Sequence, residues 1–246
     1  MRPSDLRRRP ERKTALVTGG AGGLGSALAA TLGREGYGVA VNFHKDRAGV
    51  ERLVKELGPS AIALQADVGV LEEVRGMAEA LRARWGRLDA LINCAAIAKD
   101  NLLVKLSPEE WDEVIRVNLT GIFNAIKAFA PLMAEGGGGH IINVSSYSGL
   151  KGKRGQAAYS ASKAAVLGLT FGAAAELGRH NIRVNAVLPG YMPTRMGAAA
   201  AGAMQRAEKE SLIGRLSDPA EAAVFIAGLL EMESVTGQVY SIESRI

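Results

Sequence analysis

The sequence predicts one doubly wound α/β domain, a parallel sheet of about seven strands with helices on both faces. Three observations carry that prediction. Short apolar segments alternate with longer stretches of helical pattern along the chain. A glycine-rich turn, Thr18 to Gly25, stands between the first such strand and the first helix. The chain has 246 residues, 48% apolar but only 5% aromatic, which suits one large core of small aliphatic side chains.

In order, Ala15–Thr18 reads as the first strand and Leu24–Glu35 as a helix stopped by Gly36. Gly38–Asn42 is the second strand, Asp46–Leu57 the second helix and Ala61–Gln65 the third strand. A helix over Leu71–Trp85 and a fourth strand over Leu88–Asn93 follow. Ser107-Pro-Glu-Glu110 is a helix start: Ser107 caps, Pro108 fits the first turn and Glu110 completes a capping box. That helix runs to Ala134 and ends at Gly136-Gly-Gly-Gly139. His140–Val144, Ile182–Val187 and Gln238–Ile242 are the last strands. Helices over Gln156–Leu177 and after Asp218-Pro-Ala-Glu221 lie between them. The Ala198–Ala203 run, flanked by Met196 and Met204, reads either as a mobile lid or as an ordinary alanine-rich helix.

The net charge of +5 belongs mostly to one end. Met1 to Lys13 holds six cations against Asp5 and Glu11, leaving the rest of the chain near neutral. This segment reads as a flexible, solvated extension and residues 14–246 as the single domain. No aromatics interleave its arginines and no nucleic-acid motif follows, so nucleic-acid binding is not expected. No run of 18 apolar residues predicts a membrane span. Cys94 is the only cysteine, which fits a reducing cytoplasm, and it reads as a small buried hydrophobe. His44, His140 and His180 lack ligand spacing, so no metal is expected.

The turn matches G-x-G-x-x-G through Gly20, Gly22 and Gly25, and T-G-x-x-x-G-x-G through Gly19, Gly23 and Gly25. Glycine lets the backbone approach a pyrophosphate, and the following helix presents N–H groups and a positive dipole end. Placed after a first strand, this predicts dinucleotide binding. NAD sites offer an acid to the ribose about 20 residues on. The second strand ends Val41-Asn-Phe-His-Lys-Asp46 with no acid on it. Lys45 can neutralise a 2′-phosphate, and Asp46 reads as a helix cap. NADP is therefore favoured, with NAD left open.

Tyr159 and Lys163 stand four apart and share one helix face. An ammonium beside a phenol favours the phenolate, which predicts a lowered Tyr159 pKa and a usable acid and base. Ser146, thirteen residues earlier, lies just past an apolar strand and can hold a substrate oxygen; Ser145 reads as serving the backbone.

Together these motifs resemble the short-chain dehydrogenase/reductase family over nearly the whole chain. Asp67-Val68, Asn93-Cys-Ala-Ala96, Asn118 and Pro189-Gly190 add to the match. Within the family the chain is most similar to the 3-oxoacyl-[acyl-carrier-protein] reductases. The similarity rests on Gly155-Gln-Ala-Ala-Tyr-Ser-Ala-Ser-Lys163 and Val184-Asn-Ala-Val-Leu-Pro-Gly190. The resemblance implies a Rossmann-type fold and a tetrad. Tyr159 would be general acid in reduction and base in oxidation, and Ser146 would bind the carbonyl oxygen. Lys163 would hold the nicotinamide ribose and lower the Tyr159 pKa, and Asn118 would hold a relay water. Gly19, Gly23, Leu24 and Gly25 would receive the phosphates, and Asp67 and Val68 the adenine. Asn93 and Ala95 would line the groove; Met192 and Thr194 would meet the carboxamide and nearby phosphate. The implied assembly is a homotetramer.

The chain departs from the family pattern in four places. Cys94 stands for Asn, Ala96 for Gly, Gly22 for an Arg common in NADP-dependent members, and Ser241-Ile-Glu-Ser-Arg-Ile246 for valine-aspartate-glycine-glycine. The implied activity is NADPH-dependent reduction of a 3-oxoacyl thioester on carrier protein or coenzyme A, with Lys127, Arg179 and Arg183 as candidate carrier contacts. The alternatives are a dehydrogenase of another small ketone, sugar or cyclic alcohol, and a non-catalytic nucleotide-sensing scaffold.

Overall fold

A computed structural model describes residues 12–198 and 202–245. Residues 1–11 of the basic extension, residues 199–201 of the alanine-rich run and Ile246 lie outside them. The strands are β1 (Thr14–Val17), β2 (Gly38–Phe43), β3 (Ala61–Gln65), β4 (Ala90–Asn93), β5 (Gly139–Val144), β6 (Ile182–Pro189) and β7 (Val239–Ile242). All pair in parallel in the order β3-β2-β1-β4-β5-β6-β7.

The helices are α1 (Gly23–Arg34), α2 (Arg47–Leu57), α3 (Leu71–Trp85), α4 (Pro108–Ile115), α5 (Gly121–Glu135), α6 (Ser148–Lys151), α7 (Ala157–Leu177), α8 (Arg195–Ala198), α9 (Ala203–Glu210) and α10 (Pro219–Leu230). Their starts obey local chemistry. Ser107 and Glu110 form the reciprocal capping box of α4, Asp46 accepts from Gly49 N–H at 3.0 Å, and Asp218 caps α10.

The strands alternate between two cores, as residues of period two must. Ala15 and Val17 face α1 and α10, while Leu16 faces the side covered by α3, α5 and α7. The strand order reverses between β1 and β4, and the crevice outside their C-terminal ends is where such sheets bind ligands.

Three features differ from the sequence expectation. The helix predicted from Ser107 to Ala134 is divided by a π-helical turn, Arg116–Thr120. Such turns cluster at functional sites, and this one holds buried Asn118. The combined span Pro108–Glu135 is also long and apolar enough to cross a membrane, which the sequence reading did not anticipate. Half of that stretch is buried inside the protein, through Ile122, Phe129, Leu132 and their neighbours, as a helix covering a sheet requires. Lys13, assigned to the extension, is tied to the body: its ammonium pairs with Glu231 at 2.8 Å and its carbonyl accepts from Gly38 N–H.

Candidate active site

The turn after β1 is held from both neighbouring strands. Gly19 adopts φ +66°, and a Cβ there would stand 2.7 Å from the Ala95 Cα, so no other residue fits. Gly19 N–H donates to Asn42 Oδ1 at 3.3 Å and Gly20 N–H to the Asn42 carbonyl at 2.9 Å. On the other side Thr18 Oγ1 accepts from Cys94 N–H and Ala95 N–H at 3.0 and 3.1 Å. Gly25 packs on the Gly20 Cα and Gly23 beneath Thr194, while Leu24 points into the core. The N-cap of α1 is Gly22, which brings no capping side chain. The first-turn N–H groups and the positive dipole end therefore face the crevice. This cradle fits a dinucleotide phosphate without further adjustment.

Beside it is a hollow lined by Thr18, Val68, Asn93, Ala95, Val117 and Gly121. Asn93 donates to Asn143 at 2.8 Å, but its Oδ1 is buried without a partner. An orphaned acceptor beside a groove fits a group that donates to it. Toward the far rim, Asp67 accepts from Gly69 N–H at 2.8 Å and pairs with Arg116 at 2.8 Å. Burial works to raise the Asp67 pKa, but these two partners outweigh it and hold the carboxyl below its usual range. Lys45 is exposed just past β2. The Met192 side chain is buried in the core with α1 and α10.

The catalytic candidates meet at the end of β5. The Ser146 hydroxyl stands close enough to the Tyr159 phenol to work toward lowering its pKa, and Ser146 Oγ accepts from Ser148 N–H at 3.2 Å. Lys163 Nζ lies 5.8 Å from the Tyr159 ring centre and donates to the Val144 carbonyl at 2.7 Å. Ser145 Oγ donates to the Lys163 carbonyl at 2.7 Å. The pKa expectation is overturned. Burial pushes Tyr159 up to about 12, against a lowering contribution from Ser146. Burial likewise draws Lys163 down to about 8. Both ionised forms lose hydration here, and that loss is the largest cause of each shift. Cys94, only partly covered, has its thiol pushed up to about 11 by burial despite the nearby Lys163.

Asn118 stands behind this group. Its Oδ1 accepts from Ile97 N–H at 2.8 Å, and its Nδ2 donates to the Ile97 carbonyl at 2.9 Å and to Ser162 at 3.1 Å. The amide is thus a brace between the loop after β4 and α7. Both its amide donors are used in that brace.

Sequence reasoning missed Asn42, whose Nδ2 also donates to the Leu64 and Ala66 carbonyls. The only signal was a polar residue near the end of an apolar strand. It also missed the substrate-side mouth, where Tyr147, Lys153, Tyr191 and Arg245 gather. The suggested carrier contacts are not there: Arg179 and Arg183 lie at the N-terminal end of β6, opposite the crevice, and Lys127 packs over Phe123 on α5. A cavity of about 210 Å³ opens at that opposite edge. It is lined by the Lys13–Glu231 and Arg87–Asp89 pairs, with Arg183 and Glu233 beside them.

Comparison with known proteins agrees with this geometry. The short chain dehydrogenase family matches residues 13–205. The chain is 40% identical over 233 residues to the 3-oxoacyl-[acyl-carrier-protein] reductase FabG of Staphylococcus aureus strain Mu50, covering 92% of this chain and 94% of that one. It is 39% identical over 244 residues to the protein of the same name from Thermotoga maritima, covering 96% and 98%. A nucleotide cradle at the switch point, a serine–tyrosine–lysine group beside it and these relatives place the chain in the short-chain dehydrogenase family, as an NAD(P)-dependent oxidoreductase acting on alcohol and keto groups.

Proposed function

We propose that the protein reduces a 3-oxoacyl thioester, on carrier protein or coenzyme A, to the 3-hydroxyacyl product with NADPH. The observation that carries this is Ser146 beside Tyr159, with buried Lys163 one helical turn on and its ammonium 5.8 Å from the Tyr159 ring centre. The named activity of the relatives supports the substrate class.

When bound, the nicotinamide supplies the hydride that reduces the carbonyl carbon. Ser146 donates its hydroxyl hydrogen to the carbonyl oxygen and orients it. Tyr159, which keeps its proton to about pH 12, delivers that proton to the same oxygen as charge develops there. Lys163, charged below about pH 8, holds the ribose hydroxyls and stabilises the phenolate left behind. Gly19, Gly23, Leu24 and Gly25 receive the pyrophosphate on backbone N–H groups; Asp67 and Val68 flank the adenine, and Asn93, Ala95 and Thr194 line the groove.

The choice of NADPH rests on the end of β2. Asp46 is spent capping α2, the Asn42 side chain faces inward to the turn, and exposed Lys45 is placed for a 2′-phosphate. The homotetramer reading rests on two separate apolar surfaces. One holds Phe123 and Phe171 on α5 and α7, the other Val224 and Phe225 on α10. Two different isologous contacts are what a closed tetramer needs.

The test is absorbance of reduced nicotinamide with an acetoacetyl thioester, for wild type and Tyr159→Phe, with NADPH and with NADH. Turnover with NADPH that vanishes in the variant supports the reading. Cofactor binding without turnover sinks the thioester and leaves the other keto substrates. Light scattering that gives a monomer removes the tetramer.

A further inference from the structure

The C-terminal segment departs from the family pattern, and the mouth of the cleft is where it ends up. Arg245 is nearly covered, its side chain 11% exposed, and Glu243 beside it is 2% exposed. The guanidinium grips that carboxylate in a fork, Nε to Oε1 at 2.9 Å and Nη2 to Oε2 at 2.6 Å. Its Cζ also lies over two aromatic rings, 5.2 Å from the centre of Tyr147 and 5.7 Å from that of Tyr191. Its Nη1 is 3.6 Å from Glu210 at the end of α9.

Two of the elements joined here adjoin residues of the candidate site. Tyr147 immediately follows Ser146, and Tyr191 follows Pro189-Gly190. The Tyr191 hydroxyl donates to the Gly197 carbonyl at 2.6 Å and so holds the start of the lid region. The segment after α9 is tied to the same tail, through Leu212 N–H to the Ser244 carbonyl at 3.0 Å and Ser211 to Ser244 at 2.8 Å.

We propose that Arg245, fixed by Glu243, is a positioning residue that clamps the Ser146–Lys151 loop to the Tyr191–Gly197 loop and so shapes the acyl-binding side of the cleft. Ser146 is the neighbour of one clamped ring, and the other holds the Gly197 carbonyl. The clamped Tyr191–Gly197 loop also carries Thr194 against Gly23 of the cofactor turn, so the action of the clamp falls chiefly on substrate and less on dinucleotide. A planar cation over two rings suits this better than an ammonium, which cannot fork to Glu243.

The kinetic part of this inference rests on the reductase reading, and hydrogen exchange tests the clamp without it. Removing Arg245 alone strands a buried carboxylate, so the main variant is Glu243→Gln with Arg245→Met, and Arg245→Lys is the mild one. In the ligand-free double variant, amides of residues 147–152 and 191–197 are expected to exchange about tenfold faster, the scale of one or two covered cation–π contacts. NADPH affinity is expected to stay within about twofold, while KM for acetoacetyl thioester rises about tenfold and kcat changes little. Arg245→Lys is expected to fall between, since it keeps the charge and loses the fork. Wild-type exchange in both segments in either folded variant overturns the clamp. Faster exchange with unchanged KM keeps the clamp and removes its role in substrate positioning. A wild type that binds NADPH but turns over no thioester fails the reductase reading alone, and the exchange result stands.

Discussion

The two sides of the cleft are built from different materials. The cofactor side is backbone. Gly19, Gly23 and Gly25 fit together with no room for a Cβ, and the polar groups that hold them, Thr18 and Asn42, are uncharged and buried. The substrate side is made of side chains from five stretches of chain, with a buried tyrosine, a buried lysine and a forked arginine. A backbone site is rigid and fails abruptly when a carbon is added. A side-chain site can lose one group and keep its shape. The first recognises the part of the ligand common to all turnovers, and the second can be altered to suit another substrate.

The largest effect should come from the side-chain half. Tyr159→Phe removes the proton donor and keeps the ring in its apolar surroundings. Its kcat is expected to fall about 10²–10⁴-fold, with NADPH affinity unchanged by fluorescence titration. A loss of cofactor binding in step with kcat would break the division into two halves.

Next is Gly19→Ala. An alanine must adopt φ +66° with its Cβ 2.7 Å from the Ala95 Cα. The left-handed conformation costs about 1–2 kcal/mol before the clash is counted. NADPH affinity is expected to drop by about tenfold or more, and Tm by about 2–8 °C, read by calorimetry. Normal binding by this variant would show that the turn is looser than its packing implies.

The pH dependence sharpens the contrast within the catalytic group. Lys163 is drawn down to about 8, so it is charged below that pH and neutral above it. Tyr159, at about 12, keeps its proton throughout. Reductive kcat should then be flat below pH 8 and decline above it, about tenfold per unit at the limit. Stability has the opposite sign. The folded-state pKa of Lys163 is below its unfolded value of 10.5, so burying the ammonium costs stability at low pH and the cost fades as pH rises through 8. Above about 9 the thiol of Cys94, raised to about 11, works the other way. Urea midpoints should therefore rise between pH 8 and 9 while activity falls. Midpoints that fall across that window would show that Lys163 is not the buried cation the fold makes it.

The same division governs what could be read from the sequence. The cofactor half is local: eight residues from Thr18 to Gly25 contain the turn, the cap and the helix start, and the strand–helix alternation needs only neighbours. Tyr159 and Lys163 were legible for the same reason, as one turn of one helix. The Tyr159 pKa was misjudged because burial is set by the whole fold and spacing on a helix says nothing of it. Asn118 was found, but its partners, Ile97 and Ser162, lie 21 and 44 residues away. The clamp was invisible: Arg245 meets a ring 98 residues earlier in the chain, and no local pattern marks either residue.

The smallest effect tests the rim, where the backbone half gives way to charge. Lys45 is exposed beyond β2 and bears on no part of the packed turn. A 2′-phosphate bound there would be paired in water, where a charge contact contributes about 1 kcal/mol or less. Lys45→Ala is expected to weaken NADPH about twofold to fivefold, leave NADH unchanged and leave Tm unchanged. The NADPH effect should shrink further as salt is raised, because the Debye length falls from about 10 Å at 0.1 M to about 3 Å at 1 M. Equal weakening of both cofactors would place Lys45 on the pyrophosphate or ribose instead. No change with either would move the 2′-phosphate contact elsewhere on the rim, with neighbouring His44 as the next residue to replace, since Arg47 already pairs with Glu51.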